Sequence, residues 1–137
     1  MKTPTPSLGY VILYVENVDA SLSFYEKAFG FSRRFFSAEE GKAYGELETG
    51  ATRIAFANLA QAKDSLQQPD LALSPPHASP LPFEVALVTP DVAGLFAQAA
   101  EAGAKKVVEP TEKPWGQTVA YVRDLDGYLV EICTPMS

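Results

Sequence analysis

Between Tyr10 and Val15 the chain reads YVILYV, an apolar run whose alternate members place Val11, Leu13 and Val15 on one face of a strand and Tyr10, Ile12 and Tyr14 on the other. The period then lengthens. Asn17 or Asp19 can cap a helix that runs to about Phe29, with Leu22, Tyr25 and Phe29 along one side and Gly30 as its stop. Three strands are predicted next, over 31–37, 43–48 and 52–57, separated by turn signals at Glu40-Gly41 and Thr49-Gly50. This first module, about residues 8–59, reads βαβββ. Ahead of it, Met1 to Ser7 is a polar lead with Pro4 and Pro6, expected to be a loose arm.

The pattern breaks over about 60–82, where Pro69, Pro75, Pro76, Pro80 and Pro82 can neither donate to a sheet nor continue a helix. This stretch reads as a connector, with Leu66, Leu71 and Leu73 suggesting that part of it packs down. Phe83 to Val88 then restarts the alternation, and Asp91 can cap a helix from Val92 to about Ala102, with Leu95, Phe96 and Ala99 inward and Gly103 at its end. Strands over 105–109, 117–123 and 128–134 complete a second βαβββ module at about 83–135. An offset of 74 pairs Val11 with Val85, Leu13 with Leu87, Asn17 with Asp91, Val18 with Val92 and Ala28 with Ala102. The expectation is an internal duplication within one α+β domain spanning 1–137.

The closing run GQTVAYVRDLDGYLVEICT, Gly116 to Thr134, predicts two strands around an Asp- and Gly-rich turn at 123–127. Tyr128 to Cys133 is apolar except for Glu131. A carboxylate within an apolar strand is costly to bury unpaired, so Glu131 lies either at a strand edge in water or in a site.

Composition narrows the partners. The 137 residues carry 17 acidic and 11 basic side chains, a formal net charge of −6, and Lys and Arg form no run longer than a pair, which excludes a phosphate-binding surface and hence nucleic acid. The single cysteine, Cys133, excludes an internal disulfide and any CxxC motif, fits a reducing compartment, and reads as a small buried hydrophobe. No apolar run approaches the roughly 18 residues of a membrane span, and MKTPTPS lacks a hydrophobic signal core, so a cytoplasmic protein with no membrane partner is expected.

Three motifs carry a family resemblance. Val15 to Phe31 (VENVDASLSFYEKAFGF) resembles the first helix signature of the vicinal oxygen chelate superfamily, which includes glyoxalase, bleomycin resistance proteins, fosfomycin resistance enzymes and extradiol dioxygenases. Arg123 to Ile132 (RDLDGYLVEI) resembles that superfamily's closing motif, with Leu125 where proline is usual, and Pro114-Trp115-Gly116 resembles a turn common in its bleomycin-resistance-like and glyoxalase-like branches. The resemblance implies two βαβββ modules curling into a cup of mixed sheet, helices outside and a small-molecule ligand inside, in a homodimer. In metal-dependent members the cup holds a divalent ion on the first and last strands of each module. Carried over, those positions fall on Tyr10, a residue near Ile54 to Phe56, Glu84 and Glu131, and Glu131 alone matches.

A catalytic transition-metal site normally takes about three His, Asp, Glu or Cys ligands. Tyr10, with a phenol pKa of about 10, is a poor ligand at neutral pH. Ile54, Ala55 and Phe56 cannot ligate, and the lone histidine, His77, sits in the connector as a surface-loop residue. The standard two-His site is thus expected to be missing and no cofactor is expected, with a divalent metal on Glu84 and Glu131 as the alternative. If those two carboxyls meet, they share a proton or a cation. They would then act as a catalytic acid–base pair, anchor a cationic ligand, or persist as a relic of an ancestral metal site.

Strand parity puts Leu129 and Cys133 with Glu131, Val119 and Tyr121 across the turn, and Ala86 and Val88 with Glu84. Tyr10, Ile12, Tyr14, Arg53 and Phe56 are the ligand-lining candidates of the first module. Trp115 either stacks on a flat ligand at the cup's mouth or packs as a hinge. Three functions follow: a metal-free or atypical binder of an apolar or aromatic small molecule, of the sequestration or resistance type; a glyoxalase-like lyase/isomerase or dioxygenase using Glu84 and Glu131; or a non-catalytic dimerisation scaffold.

Overall fold

Alternation and capping produce the expected elements in a computed structural model, which describes residues 3–136. In chain order they are β1 (Tyr10–Val15), α1 (Val18–Phe29), β2 (Ser32–Glu39), β3 (Lys42–Glu48), β4 (Arg53–Asn58), α2 (Leu59–Leu66), β5 (Glu84–Val88), α3 (Val92–Glu101), β6 (Lys105–Glu112), β7 (Thr118–Arg123) and β8 (Leu129–Cys133). The strands form two four-stranded sheets, ordered β1-β4-β3-β2 and β5-β8-β7-β6. In each, the first and last strands of the repeat run parallel and the other neighbours antiparallel. The fold is α+β with mixed sheets, and the β-α-β-β-β order recurs as the offset of 74 implies. Of the N-terminal lead, Met1 and Lys2 lie outside the described residues, and Thr3 to Ser7 are exposed coil.

The connector is not all coil. Leu59–Leu66 is helical because Asn58 caps it: Asn58 Oδ1 accepts from the Gln61 amide at 2.9 Å and the Ala43 amide at 3.1 Å, while Nδ2 donates to the Gly41 carbonyl at 2.9 Å. Expecting a loop there overlooked this cap and the good helix formers behind it. Leu66 is exposed, whereas Leu71 and Leu73 are half-buried. Strand β6 also runs three residues further than its pattern suggested, through Pro110. Proline is tolerated there because β6 is an edge strand with register shifts against β7.

The chain divides into two compact units, and the division runs through α1: the first unit holds the chain up to Leu22 with Phe31–Leu71, the second Ser23–Gly30 with Ala72 onward. In the first, Leu13, Val15, Leu47, Ile54 and Phe56 are buried. Val18 and Leu22 seat on Gly45, where an added Cβ would come within 2.6 Å of Leu22 Cδ1 and 3.2 Å of the Phe35 carbonyl oxygen, so a larger residue would force the helix–sheet packing to shift. In the second unit Ala120, Val122, Val130 and Ile132 form a dry sheet face, with Phe96 and Ala99 of α3 and Tyr25 and Phe29 of α1 also buried. Each sheet thus has one apolar core face and one face bearing polar and aromatic side chains.

Candidate functional site

Register decides which side chains share the second sheet's open face. Residues paired across neighbouring strands project to the same side. Glu84 pairs with Leu129, Ala86 with Glu131 and Val88 with Cys133. On the other side of β8, Arg123 pairs with Leu129, Tyr121 with Glu131 and Val119 with Cys133. The row Ala86–Glu131–Tyr121 is the centre of the face, and Glu84 is diagonal to Glu131.

These groups converge on Glu131. Tyr121 OH donates to its Oε1 at 3.0 Å, and the Cys133 thiol and the Glu84 carboxyl lie close enough for the Glu131 carboxylate to raise their pKa values. Burial first, then the charge of Glu131 and the bond to it, raise the Glu84 pKa above its ordinary value. Burial and the bond to Glu131 push the Tyr121 phenol up to about 12, and burial with the same carboxylate pushes the Cys133 thiol up to about 11. Both stay protonated as donors, and neither is an activated nucleophile or metal ligand at neutral pH.

Beside this cluster is an open cavity of about 490 Å³, lined by Leu81, Pro82, Phe83, Glu84, Val107, Val108, Tyr121 and Leu129. Its wall is apolar, its polar groups are the Glu84 carboxyl and the Tyr121 phenol, and no basic side chain lines it. Of the second-module candidates, Glu84, Tyr121 and Leu129 border the cavity and Glu131 adjoins it through its hydrogen bonds. Val119 shares the face but is 3% exposed, and Trp115 is outside the lining. The indole is 63% exposed in the β6–β7 turn, its Nε1 donating to Gln117 Oε1 at 2.8 Å, on the same strand ends as Cys133 and Thr134 and remote in register from Glu84. The sequence pattern missed Leu81 to Phe83 and Val107-Val108. The two valines lie where the β6 register shifts, and a shift of this kind scrambles the parity rule.

The first sheet's open face is built the same way. Tyr10 pairs with Arg53, Ile12 with Ala55 and Tyr14 with Ala57, and β3 adds Glu46 beside Ala55 and Tyr44 beside Ala57. Phe56 does not belong to this set. It pairs with Leu13 and Gly45 on the core face and is 0% exposed, so it is withdrawn as a ligand-lining residue. By register Ala55 corresponds to Glu131, which leaves the first sheet's carboxylate on the neighbouring strand as Glu46. Glu46 accepts from Tyr44 OH at 2.7 Å and from Arg34 Nε at 3.2 Å. Burial, followed by the bond to Glu46, raises the Tyr44 pKa. His77 is exposed in the connector.

The chemistry of the donor set does not fit a resident catalytic metal. Glu84 and Glu131 contribute only two carboxyls, with a protonated phenol and thiol beside them. Among the described residues, no group of three or more His, Cys, Asp or Glu side chains is placed to hold an ion.

A family model described as the Glyoxalase/Bleomycin resistance protein/Dioxygenase superfamily matches residues 7–132. Among solved structures, the chain is similar to a glyoxalase-related enzyme from Fulvimarina pelagi, with 20% identity, 96% of this chain and 89% of that one covered, and a TM-score of 0.78. It is similar to a glyoxalase/bleomycin resistance protein/dioxygenase family enzyme from Burkholderia phytofirmans PsJN, with 21% identity, coverage of 94% and 98%, and a TM-score of 0.78. A third similar structure is TioX from Micromonospora sp. ML1, with 24% identity, the same coverage and a TM-score of 0.70. At these identities the likeness concerns the fold. No curated protein matches the sequence.

Proposed function

The chain belongs to the glyoxalase/bleomycin resistance protein/dioxygenase superfamily, and from that premise we propose that it binds an apolar or aromatic small molecule in the second unit's cavity, with the Glu84–Glu131 pair holding a protonated amine. The observation that carries this reading is the cavity itself: an apolar wall with two convergent polar groups, a composition typical of ligand sites. Its electrostatics select the ligand's polar end. The Glu131 charge, which already raises the Glu84 pKa, favours a cation, and an arriving ammonium would be held between the two carboxyls. An anion would meet the Glu131 charge with no cation lining the cavity.

Binding without turnover, as in sequestration, needs nothing more from the site. The carboxyl pair also supports a second reading, in which Glu84, with its raised pKa, acts as general acid and Glu131 as base on the bound molecule. A metal-dependent version is not adopted, because the donors do not fit one. A homodimer is the assembly the family suggests.

Equilibrium dialysis with naphthylmethylamine, naphthylmethanol and naphthoate tests the reading, alongside native mass spectrometry for oligomeric state and any co-purified ligand. The amine is expected to bind best, to weaken in Glu84→Gln, and to be lost in Leu129→Trp, whose indole fills the cavity. Amine binding that persists unchanged in Leu129→Trp would refute the site. A dimer that binds none of the three would favour the scaffold role.

A further inference from the structure

Among the described residues, one buried side-chain nitrogen or oxygen has no hydrogen-bond partner, and it is Nε of Arg53. Buried guanidinium donors are costly to leave unmet, so such an atom calls for an explanation. The first sheet's open face shows why it has none. Arg53 begins β4 beside Tyr10 of β1. The carboxylates on that face are already engaged: Arg34 donates to Glu46 at 3.2 Å and to Glu48 at 2.8 Å, and Tyr44 OH donates to Glu46 at 2.7 Å. The Arg34 hydrogen bond, and more weakly the Arg53 charge, hold Glu48 below its ordinary range, so Arg53 feels that carboxylate through space without bonding to it through Nε.

We propose that the Arg53 guanidinium is an unassigned site for a small monocarboxylate with an apolar or aromatic body. A planar two-oxygen anion matches the Nε–Nη edge of a guanidinium and would supply the missing acceptor. Tyr10 and Ile12, 52% and 40% exposed on the adjacent strand, offer apolar surface for the rest of the molecule. Nε is buried, so an acceptor reaches it as a neighbouring side chain gives way, and Tyr10 is the register partner of Arg53 on β1. Glu46 and Glu48 set the charge limit: a single negative charge is balanced by Arg53, whereas a multiply charged phosphate is repelled by the two carboxylates. This site belongs to the first unit and is logically independent of the amine-binding cavity, so either reading can fail alone.

Side-chain nitrogen NMR of the full chain tests it. Titration with sodium benzoate is expected to shift one arginine Nε–H resonance saturably, with benzamide and inorganic phosphate leaving it unmoved. That resonance should be missing from Arg53→Lys, which keeps the charge but loses the fork. Arg53→Met should bind benzoate roughly tenfold to a hundredfold more weakly, the loss of one charge-assisted pair. Circular dichroism of both Arg53 variants establishes that they fold. The proposal is overturned if benzoate produces no saturable shift, if benzamide reproduces it, or if folded Arg53→Met retains full affinity.

Discussion

The turn that delivers Glu131 to its face is held by a buried acid, and that acid makes the stability of the protein depend on pH in an unusual direction. Asp124 is 6% exposed. Its Oδ2 accepts from Tyr25 OH at 2.6 Å, and its Oδ1 accepts from the amides of Asp126 at 2.9 Å and Tyr128 at 2.8 Å. Burial outweighs these bonds and pushes its pKa from the ordinary 3.8 up to about 6. Between those values the native state keeps a proton that the unfolded chain has lost. Stability from this group is therefore fully present below about pH 4 and declines as pH rises to about 6. The total is about 3 kcal/mol from 1.36 kcal/mol per pKa unit, and roughly half of it falls between pH 5 and 7. That half is the accessible part, above the sequence pI of about 4.7 where solubility is poorest. In Asp124→Asn the two amides and Tyr25 keep a partner and the titration disappears. Urea unfolding followed by far-ultraviolet circular dichroism at pH 5, 6 and 7 should show the native protein losing about 1.5 kcal/mol more than Asp124→Asn across the range. Parallel curves for the two proteins would refute the assignment.

Two further outcomes are expected. Ultraviolet titration should show Tyr121 ionising near pH 12 in the native chain and nearer its ordinary value of about 10 in Glu131→Gln, because the variant removes the carboxylate charge and weakens the acceptor. An unchanged profile would mean that the Tyr121–Glu131 bond is not formed in solution. Asn58→Ala should cost about 1–2 kcal/mol in urea unfolding, since one side chain caps α2 and also ties the β2–β3 turn. A change within a few tenths of a kcal/mol would show that α2 does not depend on its cap.

Much of the fold was legible because it rests on local signals. The alternation of Tyr10 to Val15, the caps at Asn17 and Asp91 and the turn at 123–127 each reflect backbone geometry and short-range hydrogen bonds, which a sequence encodes directly. The second-sheet face was legible for the same reason: Glu84, Tyr121, Leu129 and Glu131 sit on regular strands, where parity holds. Parity failed at Val107 and Val108, where the β6 register shifts. Phe56 was misplaced because its whole neighbourhood, Arg53–Asn58, is so apolar that the pattern does not say which face is the core. The connector hid a packing role as well. Gly127 has φ of +92° as turn geometry demands, and an added Cβ would also strike the Pro76 carbonyl oxygen at 2.6 Å, a contact no local pattern announces.

The sequence by itself determined the βαβββ order of each module, the internal repeat and which side chains share a face on the regular strands, since periodicities of 2 and 3.6 are properties of the chain. Tertiary structure alone decided which of those faces are buried and which polar groups meet on them. It placed the Glu84 carboxyl, the Tyr121 phenol and the Cys133 thiol around Glu131, and it left Arg53 Nε with no acceptor. Those outcomes depend on desolvation and on distances between residues far apart in the chain, and such quantities come into being only when the strands are assembled.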